Sequence, residues 1–127
     1  MGIKSNAVKA CDTAFSIYIR RSNEDKFGHV ACVTCGITYD WKSITNGHLM
    51  PRGNMATRWH EKNALPQCVE CQGRNNGERE KMRAAIDAKW GEGTAEEMRL
   101  LSITVARFTV DDIKELTKEY KLKAEDL

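Results

Sequence analysis

The chain has 127 residues, of which 41% are hydrophobic and 30% charged, and its net charge is +2. This length suits one folded domain and is too short for two, and the mixed composition with only two prolines excludes extended disorder. No apolar run approaches the roughly 18 residues of a membrane helix, and the N-terminus lacks the apolar core of a signal peptide. We therefore expect a single cytoplasmic domain over residues 1–127, with no membrane partner.

Charge is distributed unevenly along the chain. Residues 1–83 contain thirteen Lys or Arg and eight Asp or Glu, a net +5, whereas residues 84–127 contain seven and ten, a net −3. The basic part holds every Cys and every His. Basic charge around a candidate site favours a polyanionic partner, although an ordinary solvated surface would give the same pattern.

The first element predicted in chain order is a helix over residues 5–22. Apolar side chains recur there at steps of three and four, the period of a helix with one buried face. They are Ala7, Cys11, Ala14, Phe15 and Tyr18. Arg20 and Arg21 end this helix, where cations interact favourably with its dipole. We expect Cys11 to be a buried small hydrophobe.

Two short β elements and a broken helix are predicted in the middle of the chain. A strand is expected over residues 30–32, and a hairpin over residues 37–50 that ends at residues 47–50. A helix is expected from Cys68 to Gly91, with a break near residues 73–77. Its apolar stripe consists of Met82, Ile86 and Trp90.

Two further helices are predicted near the C-terminus. Thr94 is expected to cap TAEEMRLLS, because Glu97 three residues later would complete a capping box. Thr109 is expected to cap VDDIKELTKEYKLKAEDL, with Asp112 in its first turn. The apolar stripe of this last helix either packs against the domain or forms a homodimer interface; it consists of Ile113, Leu116 and Tyr120.

Four of the five cysteines form two Cys-x-x-Cys pairs. They are Cys32, Cys35, Cys68 and Cys71. Two such pairs separated by a loop are typical of a tetrahedral Zn²⁺ site, and four thiolates leave no open position, so the zinc should be structural. A pair of disulfides is the alternative, which a cytosolic protein disfavours. A redox site is another, but it would use one pair.

The loop between the two Cys pairs carries the residues expected to do chemistry. His48 follows Gly47, Asn63 comes fifteen residues later, and Gln72 directly follows Cys71. This order is the HNH (ββα-metal) arrangement, in which a His on a strand, an Asn in the following loop and an amide or imidazole on a helix form one site.

Each of these residues is assigned a role in phosphodiester hydrolysis. His48 would be the general base, since a neutral imidazole has a pKa near the working pH. Asn63 would hold the loop or the imidazole, and Gln72 would offer a carbonyl oxygen to a catalytic Mg²⁺ or Mn²⁺. His60 is a further candidate ligand of that metal, and Asn75 and Asn76 are alternatives.

These residues and their neighbours resemble the phage NinG/Rap recombination nucleases, which are HNH-type proteins. The resemblance covers nearly the whole chain and rests on FSIYIRRS, CVTCG, GH, RGNMATRWHEKN, QCVEC and GEREKMRAAIDAKWGEGTAEE, in the family's order. It implies an endonuclease that cuts branched DNA, such as four-way junctions and D-loops, in the host-cell cytoplasm.

The chain departs from the family's pattern at two positions. Members commonly carry Cys before the Gly-His pair, where this chain has Asn46, and Asn after the last zinc Cys, where it has Gln72. Gln72 is one methylene longer, which would weaken the activity if its carbonyl overshoots the metal. Gly47 also stands where some HNH enzymes have an acidic ligand.

Several basic and aromatic residues are candidates for contact with DNA. Phosphate contacts are expected first from Arg52 and Arg58 beside the site, and then from Arg20, Arg21, Lys42 and Arg74, with a solvated basic face as the alternative. Trp41 and Trp59 either stack on bases or belong to the core.

The predicted fold is α+β. It has a ββα zinc-bearing core over residues 30–91, an N-terminal helix and loop over residues 1–29, and C-terminal helices over residues 92–127. The alternative to a nuclease is a zinc-ribbon-like module that binds DNA, or serves as a recombination adaptor, without cutting.

Overall fold

The computed structural model describes residues 2–127, except for the side chain of Asn75. In chain order the elements are α1 Ile3–Ser22, β1 His29–Ala31, β2 Thr38–Asp40, β3 Thr45–His48, α2 Met55–Arg58, β4 Ala64–Gln67, α3 Val69–Gln72, α4 Asn75–Trp90, α5 Thr94–Ser102 and α6 Val110–Glu125. A single 3₁₀ turn, Glu61–Asn63, precedes β4. Helices combined with two small antiparallel sheets confirm the α+β class. None of the helices in residues 2–127 is long and apolar enough to cross a membrane.

The first helix, α1, and the last helix, α6, pack against each other, so both ends of the chain contribute to one core. The predicted first helix is confirmed as α1, and Cys11 is fully buried on its inner face. The α6 helix places Ile113 and Tyr120 against that face. Its predicted start is also confirmed, because Thr109 and Asp112 form a reciprocal capping box. Trp59 is buried in this same cluster.

The predicted hairpin over residues 37–50 is wrong, because β2 and β3 lie in different sheets. β2 pairs with β1, whereas β3 pairs with β4 from beyond a long loop. The four residues of β4 are all buried beside β3, whereas two of the three residues of β2 are exposed. A Cβ on Gly47 would lie 2.8 Å from Gln67 Cβ and 3.0 Å from Met82 Cε, so glycine lets the two strands approach.

The broken helix after Cys68 is confirmed. It divides into α3 and α4, and Asn76, Gly77 and Glu78 all have positive φ values. The side chain of Gln67 holds this kink, since its Nε2 donates to the carbonyl of Gly77 at 2.7 Å. The side chain of Gln67 is almost fully buried, so this bond also satisfies a polar group inside the protein.

The predicted cap of the next helix is wrong. The capping position of α5 is Gly93 rather than Thr94, whose hydroxyl donates backwards to the carbonyl of Gly91 at 2.7 Å. Asp87 of α4 supplies the acceptor instead, because its Oδ1 accepts the backbone N–H of Ala95 at 2.8 Å. A carboxylate from a neighbouring helix therefore replaces the local capping box.

Two further hydrophobic clusters surround the β3–β4 pair. One joins these strands to α4 and α5 and contains Leu49, Met50, Leu65, Met82, Ile86, Ala95 and Met98. The other lies around the four paired cysteines and contains Val30 and Ile44. The short β3–β4 pair, with α3 directly after it, is thus packed between the cysteine cluster and the helices.

Candidate functional site

The four paired cysteines come together as the sequence predicted. Their sulfur atoms all lie within 4.8 Å of one another, and none of the four cysteines is in a disulfide. The Sγ atoms of Cys35 and Cys68 are 3.9 Å apart. Tetrahedral Zn²⁺ with Zn–S bonds of about 2.3 Å holds its sulfurs about 3.8 Å apart. The cluster is therefore positioned to bind a metal ion, with the donor set and spacing of structural zinc.

Backbone hydrogen bonds form the cysteine cluster from two separate segments. Cys32 and Cys35 lie in the turn after β1, where Gly36 has a φ of +78° and donates to the carbonyl of Cys32 at 2.9 Å. Cys68 and Cys71 lie at the start of α3. The N–H of Val33 donates to the carbonyl of Pro66 at 3.0 Å, which fastens the first segment to β4.

The thiol of Cys32 is prepared for the charged form that metals bind. Burial raises its pKa, but hydrogen bonds from Thr34 and from the backbone of Cys68, Cys35 and Thr34 outweigh burial and bring the pKa to about 6. The pKa of the fifth cysteine, Cys11, is raised mainly by burial. Cys11 is set apart from the cluster by its position, since it is buried between α1 and α6.

A cavity of about 420 Å³ lies beside the β3–β4 pair. It is lined by Asp12, Ser16, Thr45, Asn46, His48, Arg52 and Gln72. These residues come from α1, β3, the loop after β3 and the end of α3. The cavity is polar, and two of the three residues that the sequence assigned to chemistry, His48 and Gln72, line it.

His48 ends β3 and is held by one directional hydrogen bond. Its Nε2 lies 3.0 Å from the backbone carbonyl of Arg58, and its ring packs 5.8 Å from the ring of Phe15. Since a carbonyl can only accept, Nε2 carries the proton and Nδ1 is left as the basic nitrogen. Burial lowers the pKa of His48, although the Arg58 carbonyl opposes this shift. The imidazole is therefore neutral at neutral pH, and the lone pair of Nδ1 remains available.

Asn63 is fully buried beneath the loop that separates β3 from β4. Its Oδ1 accepts the N–H of Met50 at 2.9 Å, and its Nδ2 donates to the carbonyls of Met50 and Thr57 at 3.1 Å each. The side chain thus fastens both ends of the segment from Met50 to Thr57. The sequence left two roles open for Asn63, holding the loop or holding the imidazole of His48. The contacts of its side chain are with the loop.

Gln72 lines the cavity, and its amide nitrogen faces the backbone of β3 and β4. Nε2 donates to the hydroxyl of Thr45 and, at 3.3 Å each, to the carbonyls of Asn46 and Gln67. Because these carbonyls require a donor, the oxygen Oε1 is the amide atom left for a ligand. The side-chain amide of Asn46 is different: both its polar atoms are buried and find no hydrogen-bond partner among the described residues.

The two arginines beside the cavity differ in their freedom. Arg58 is only 16% exposed, and its guanidinium donates to both oxygens of Asp12 and to the carbonyl of Arg52. Arg52 is 62% exposed, lines the cavity and lies 3.7 Å from Asp12. Arg52 is therefore available to an anionic ligand, whereas Arg58 is already engaged within the protein.

The remaining basic candidates lie outside the cavity. Arg20 donates to the carbonyls of Trp41 and Ile44, which makes it a tie between α1 and the loop before β3. Arg21 and Lys42 lie over the ring of Trp41, at 5.0 and 5.7 Å from its centroid. Arg74 is exposed and lies 3.6 Å from Glu70.

Two alternative metal ligands are placed away from His48. His60 caps the 3₁₀ turn, where its Nδ1 accepts the N–H of Lys62 at 3.2 Å, and it does not line the cavity. Asn76 belongs to the α3–α4 kink. Asn75 was the third alternative, and its side chain lies outside the described residues.

Asp12 and Ser16 line the cavity and were missed in the sequence. A signal was present, because Asp12, Ser16 and Arg20 recur at steps of four along one edge of the apolar face of α1. The partners of Asp12 are Arg58 and Trp59, which lie 46 and 47 residues later. Polar residues bordering an apolar helical face are common, so the spacing alone does not reveal such partners.

Comparison with known proteins matches the chain to a protein family. A family model described as the bacteriophage lambda NinG protein matches residues 3–127, almost the whole chain. No curated protein and no solved structure matches the chain significantly. The match therefore covers α1, the cysteine cluster, the cavity and α6 together.

Proposed function

The chain belongs to the family of the bacteriophage lambda NinG protein, and on this premise we propose that it is a metal-dependent DNA endonuclease of the HNH type. One observation carries the proposal: the hydrogen bond from His48 Nε2 to the carbonyl of Arg58 leaves Nδ1 as a base beside a polar cavity. A half-buried, neutral imidazole with one free nitrogen can accept a proton from a water molecule.

The order of elements around His48 supports the HNH assignment. β3 and β4 are antiparallel, α3 follows β4 directly, and the long loop between the strands is fastened by Asn63. His48 ends the first strand, Asn63 precedes the second and Gln72 ends the helix. This is the sequence of strand, loop, strand and helix in which ββα-metal sites are built.

In the proposed reaction, Nδ1 of His48 accepts a proton from a water molecule. The water oxygen forms a bond to phosphorus, and the bond from phosphorus to the leaving oxygen of the DNA backbone breaks. A Mg²⁺ or Mn²⁺ ion held at Gln72 Oε1 would stabilise negative charge on the phosphate and on the leaving oxygen. Arg52 binds a neighbouring phosphate, since it is the exposed arginine of the cavity.

The four cysteines hold zinc in a structural role in this proposal. Among the described residues they are the one group of three or more Cys, His, Asp or Glu residues whose ligand atoms could share an ion. All four ligand positions of zinc are filled by thiolates, so water cannot bind there for catalysis. A zinc ion held by these cysteines would fix the junction of β4 and α3, and with it the position of Gln72 relative to His48.

We propose branched DNA as the substrate, on the resemblance to the NinG/Rap recombination nucleases. The net charge of +5 over residues 1–83, which contain the whole cavity, supports a polyanionic substrate. A four-way junction has near two-fold symmetry, so a dimer of this chain would suit it.

The test is cleavage of a labelled four-way junction and of a matched linear duplex in Mg²⁺ or Mn²⁺. His48→Ala should reduce cleavage by about 100- to 10,000-fold, the usual contribution of a general base. His29→Ala is the matched control, because His29 is exposed on β1 and outside the cavity. Junction binding without cleavage by the parent protein would replace the nuclease with a non-cleaving DNA-binding module.

A further inference from the structure

Asp12 is the carboxylate among the residues that line the cavity. Its Oδ1 accepts from Arg58 Nε at 3.0 Å and from Trp59 Nε1 at 2.9 Å, and its Oδ2 accepts from Arg58 Nη2 at 2.7 Å. The contact with the guanidinium is bidentate, the geometry with the strongest orientational constraint. A residue in the middle of α1 thus fixes two consecutive residues at the end of α2.

The main chain of Arg58 passes this constraint on to the candidate base. The backbone carbonyl of Arg58 accepts the hydrogen bond from His48 Nε2. The guanidinium of Arg58 donates from Nη1 to the carbonyl of Arg52 at 2.9 Å. The side chain of Arg58 therefore closes the loop between Arg52 and Arg58. Its backbone then holds the imidazole of His48.

We propose that Asp12 is the positioning residue of this site, which sets the orientation and tautomer of His48 through Arg58. The inference rests on the proposed function for its effect on cleavage, although its effect on the imidazole is independent of catalysis. In this proposal Arg58 holds the loop and His48 in place, and Arg52 is the arginine beside the cavity that contacts phosphate.

The contacts of Asp12 argue against a direct role as base or metal ligand. Both oxygens are occupied by the Arg58 guanidinium and the Trp59 indole, and Arg52 adds a second positive charge at 3.7 Å. A divalent cation would have to displace a bidentate arginine and approach two positive charges. Burial raises the pKa of Asp12, but the hydrogen bonds from Arg58 and Trp59 lower it overall, so the carboxylate stays charged.

A purely structural tie between α1 and α2 would use the same contacts, so the test needs a measurement on His48 itself. Asp12→Asn keeps the shape of the side chain and weakens the bidentate pair. Arg58→Lys keeps the positive charge and loses the planar fork. Glu24→Gln is the matched control, because it breaks another carboxylate–arginine pair, at 3.3 Å to Arg21, outside the cavity.

The experiment combines ¹⁵N NMR of the histidine rings in the zinc-loaded protein with single-turnover cleavage of a four-way junction at several pH values. In Asp12→Asn and Arg58→Lys we expect the His48 ring to change from the Nε2–H tautomer to a mixture, whereas Glu24→Gln keeps the parent spectrum. Cleavage should fall by about tenfold or more with junction affinity retained, because a displaced base loses its near-attack geometry.

The outcomes separate the inference from the proposed function. An unchanged His48 tautomer and cleavage pH profile in both folded variants would overturn the role of Asp12 and leave the nuclease intact. A changed His48 tautomer in the variants, combined with a parent protein that cuts no DNA, would support the positioning role and reject the nuclease. If Asp12→Asn fails to fold, Arg58→Lys decides. A loss of junction affinity without a change at His48 in that variant would show that Arg58 contacts phosphate, against the inference.

Discussion

The cysteine cluster and the His48 cavity both adjoin the β3–β4 pair, but they are assembled in different ways. The cluster needs two local Cys-x-x-Cys turns, and its sulfurs lie within 4.8 Å of one another. The cavity needs α1, β3, the following loop and α3 to meet, and its geometry depends on hydrogen bonds between residues far apart in sequence. The cluster is therefore visible in the sequence, whereas the cavity becomes visible only in the fold.

The largest expected effect is the loss of the metal from the cysteine cluster. Cys68→Ser should lower zinc content and unfold the part of the chain around β1 to α3, since structural zinc contributes about 10 kcal/mol or more to such small sites. Zinc content and thermal unfolding, with and without a chelator, measure this effect.

Cys11→Ala is the matched control for the cysteine cluster. Cys11 is buried between α1 and α6 and takes no part in the cluster. This variant should keep full zinc content and lose at most about 2 kcal/mol of folding free energy. Equal zinc loss in Cys11→Ala and Cys68→Ser would contradict the assignment of the cluster.

The second effect concerns the loop beside the cavity. Asn63→Ala removes three buried hydrogen bonds and leaves the N–H of Met50 without its partner. We expect a loss of about 3 kcal/mol in the free energy of unfolding, from about 1 kcal/mol for each bond. Denaturant unfolding of the zinc-loaded protein measures it. Because Asn63 takes no part in the cysteine cluster, we expect the zinc content to stay unchanged. Zinc release by this variant would show that the cluster depends on the loop beside the cavity.

A smaller effect should appear in the pH dependence of stability. Burial lowers the pKa of His48 below its usual value of about 6.5, so the folded state favours the neutral ring. At pH values between the pKa of His48 in the folded state and its pKa in the unfolded state, the unfolded chain binds more protons. The contribution of the neutral ring to the free energy of unfolding is therefore fully present above the unfolded pKa. It is lost as the pH falls through the folded pKa.

The difference in unfolding free energy between the parent and His48→Gln isolates this pH effect. His60, whose pKa is also lowered mainly by burial, is present in both proteins and cancels. The parent should lose its advantage over the variant as the solution becomes acidic. A difference that is constant with pH would mean that His48 is not held in the neutral form.

The smallest expected effect is a gain in stability. Asn46 has two buried polar atoms without partners, so Asn46→Ala should raise the free energy of unfolding by about 1 kcal/mol through removal of that desolvation cost. Asn23→Ala is the contrasting variant, because the Asn23 amide donates to the carbonyl of Ile19 at 2.7 Å and should cost stability when lost. Destabilisation by Asn46→Ala would show that its amide is satisfied in solution.

The elements that the sequence predicted correctly are those fixed by local periodicity or local spacing. Residues 5–22 show their buried face directly, and Thr109 meets its capping partner Asp112 three residues later. The failures involve distant partners. β3 pairs with β4 across a loop, and α5 takes its cap from Asp87 of α4 rather than from Thr94.

The residues of the candidate site also divide into those placed by local spacing and those placed by distant partners. Gln72 directly follows Cys71, and His48 lies on β3, which pairs with the strand directly before Cys68; both residues line one cavity. Asp12 could not be connected to that cavity from the sequence, since its guanidinium partner lies 46 residues away. The freedom of Arg52 and the engagement of Arg58 also depend on this one carboxylate.

The central claim is that the neutral imidazole of His48 is the general base of a DNA endonuclease. The most direct test is the single-turnover cleavage rate of a labelled four-way junction in Mg²⁺, at saturating protein, for the parent and for His48→Ala. We expect cleavage by the parent and a loss of about 100-fold or more in the variant, with equal junction binding. Equal cleavage by both proteins, or no cleavage by a zinc-loaded parent that binds the junction, would contradict it.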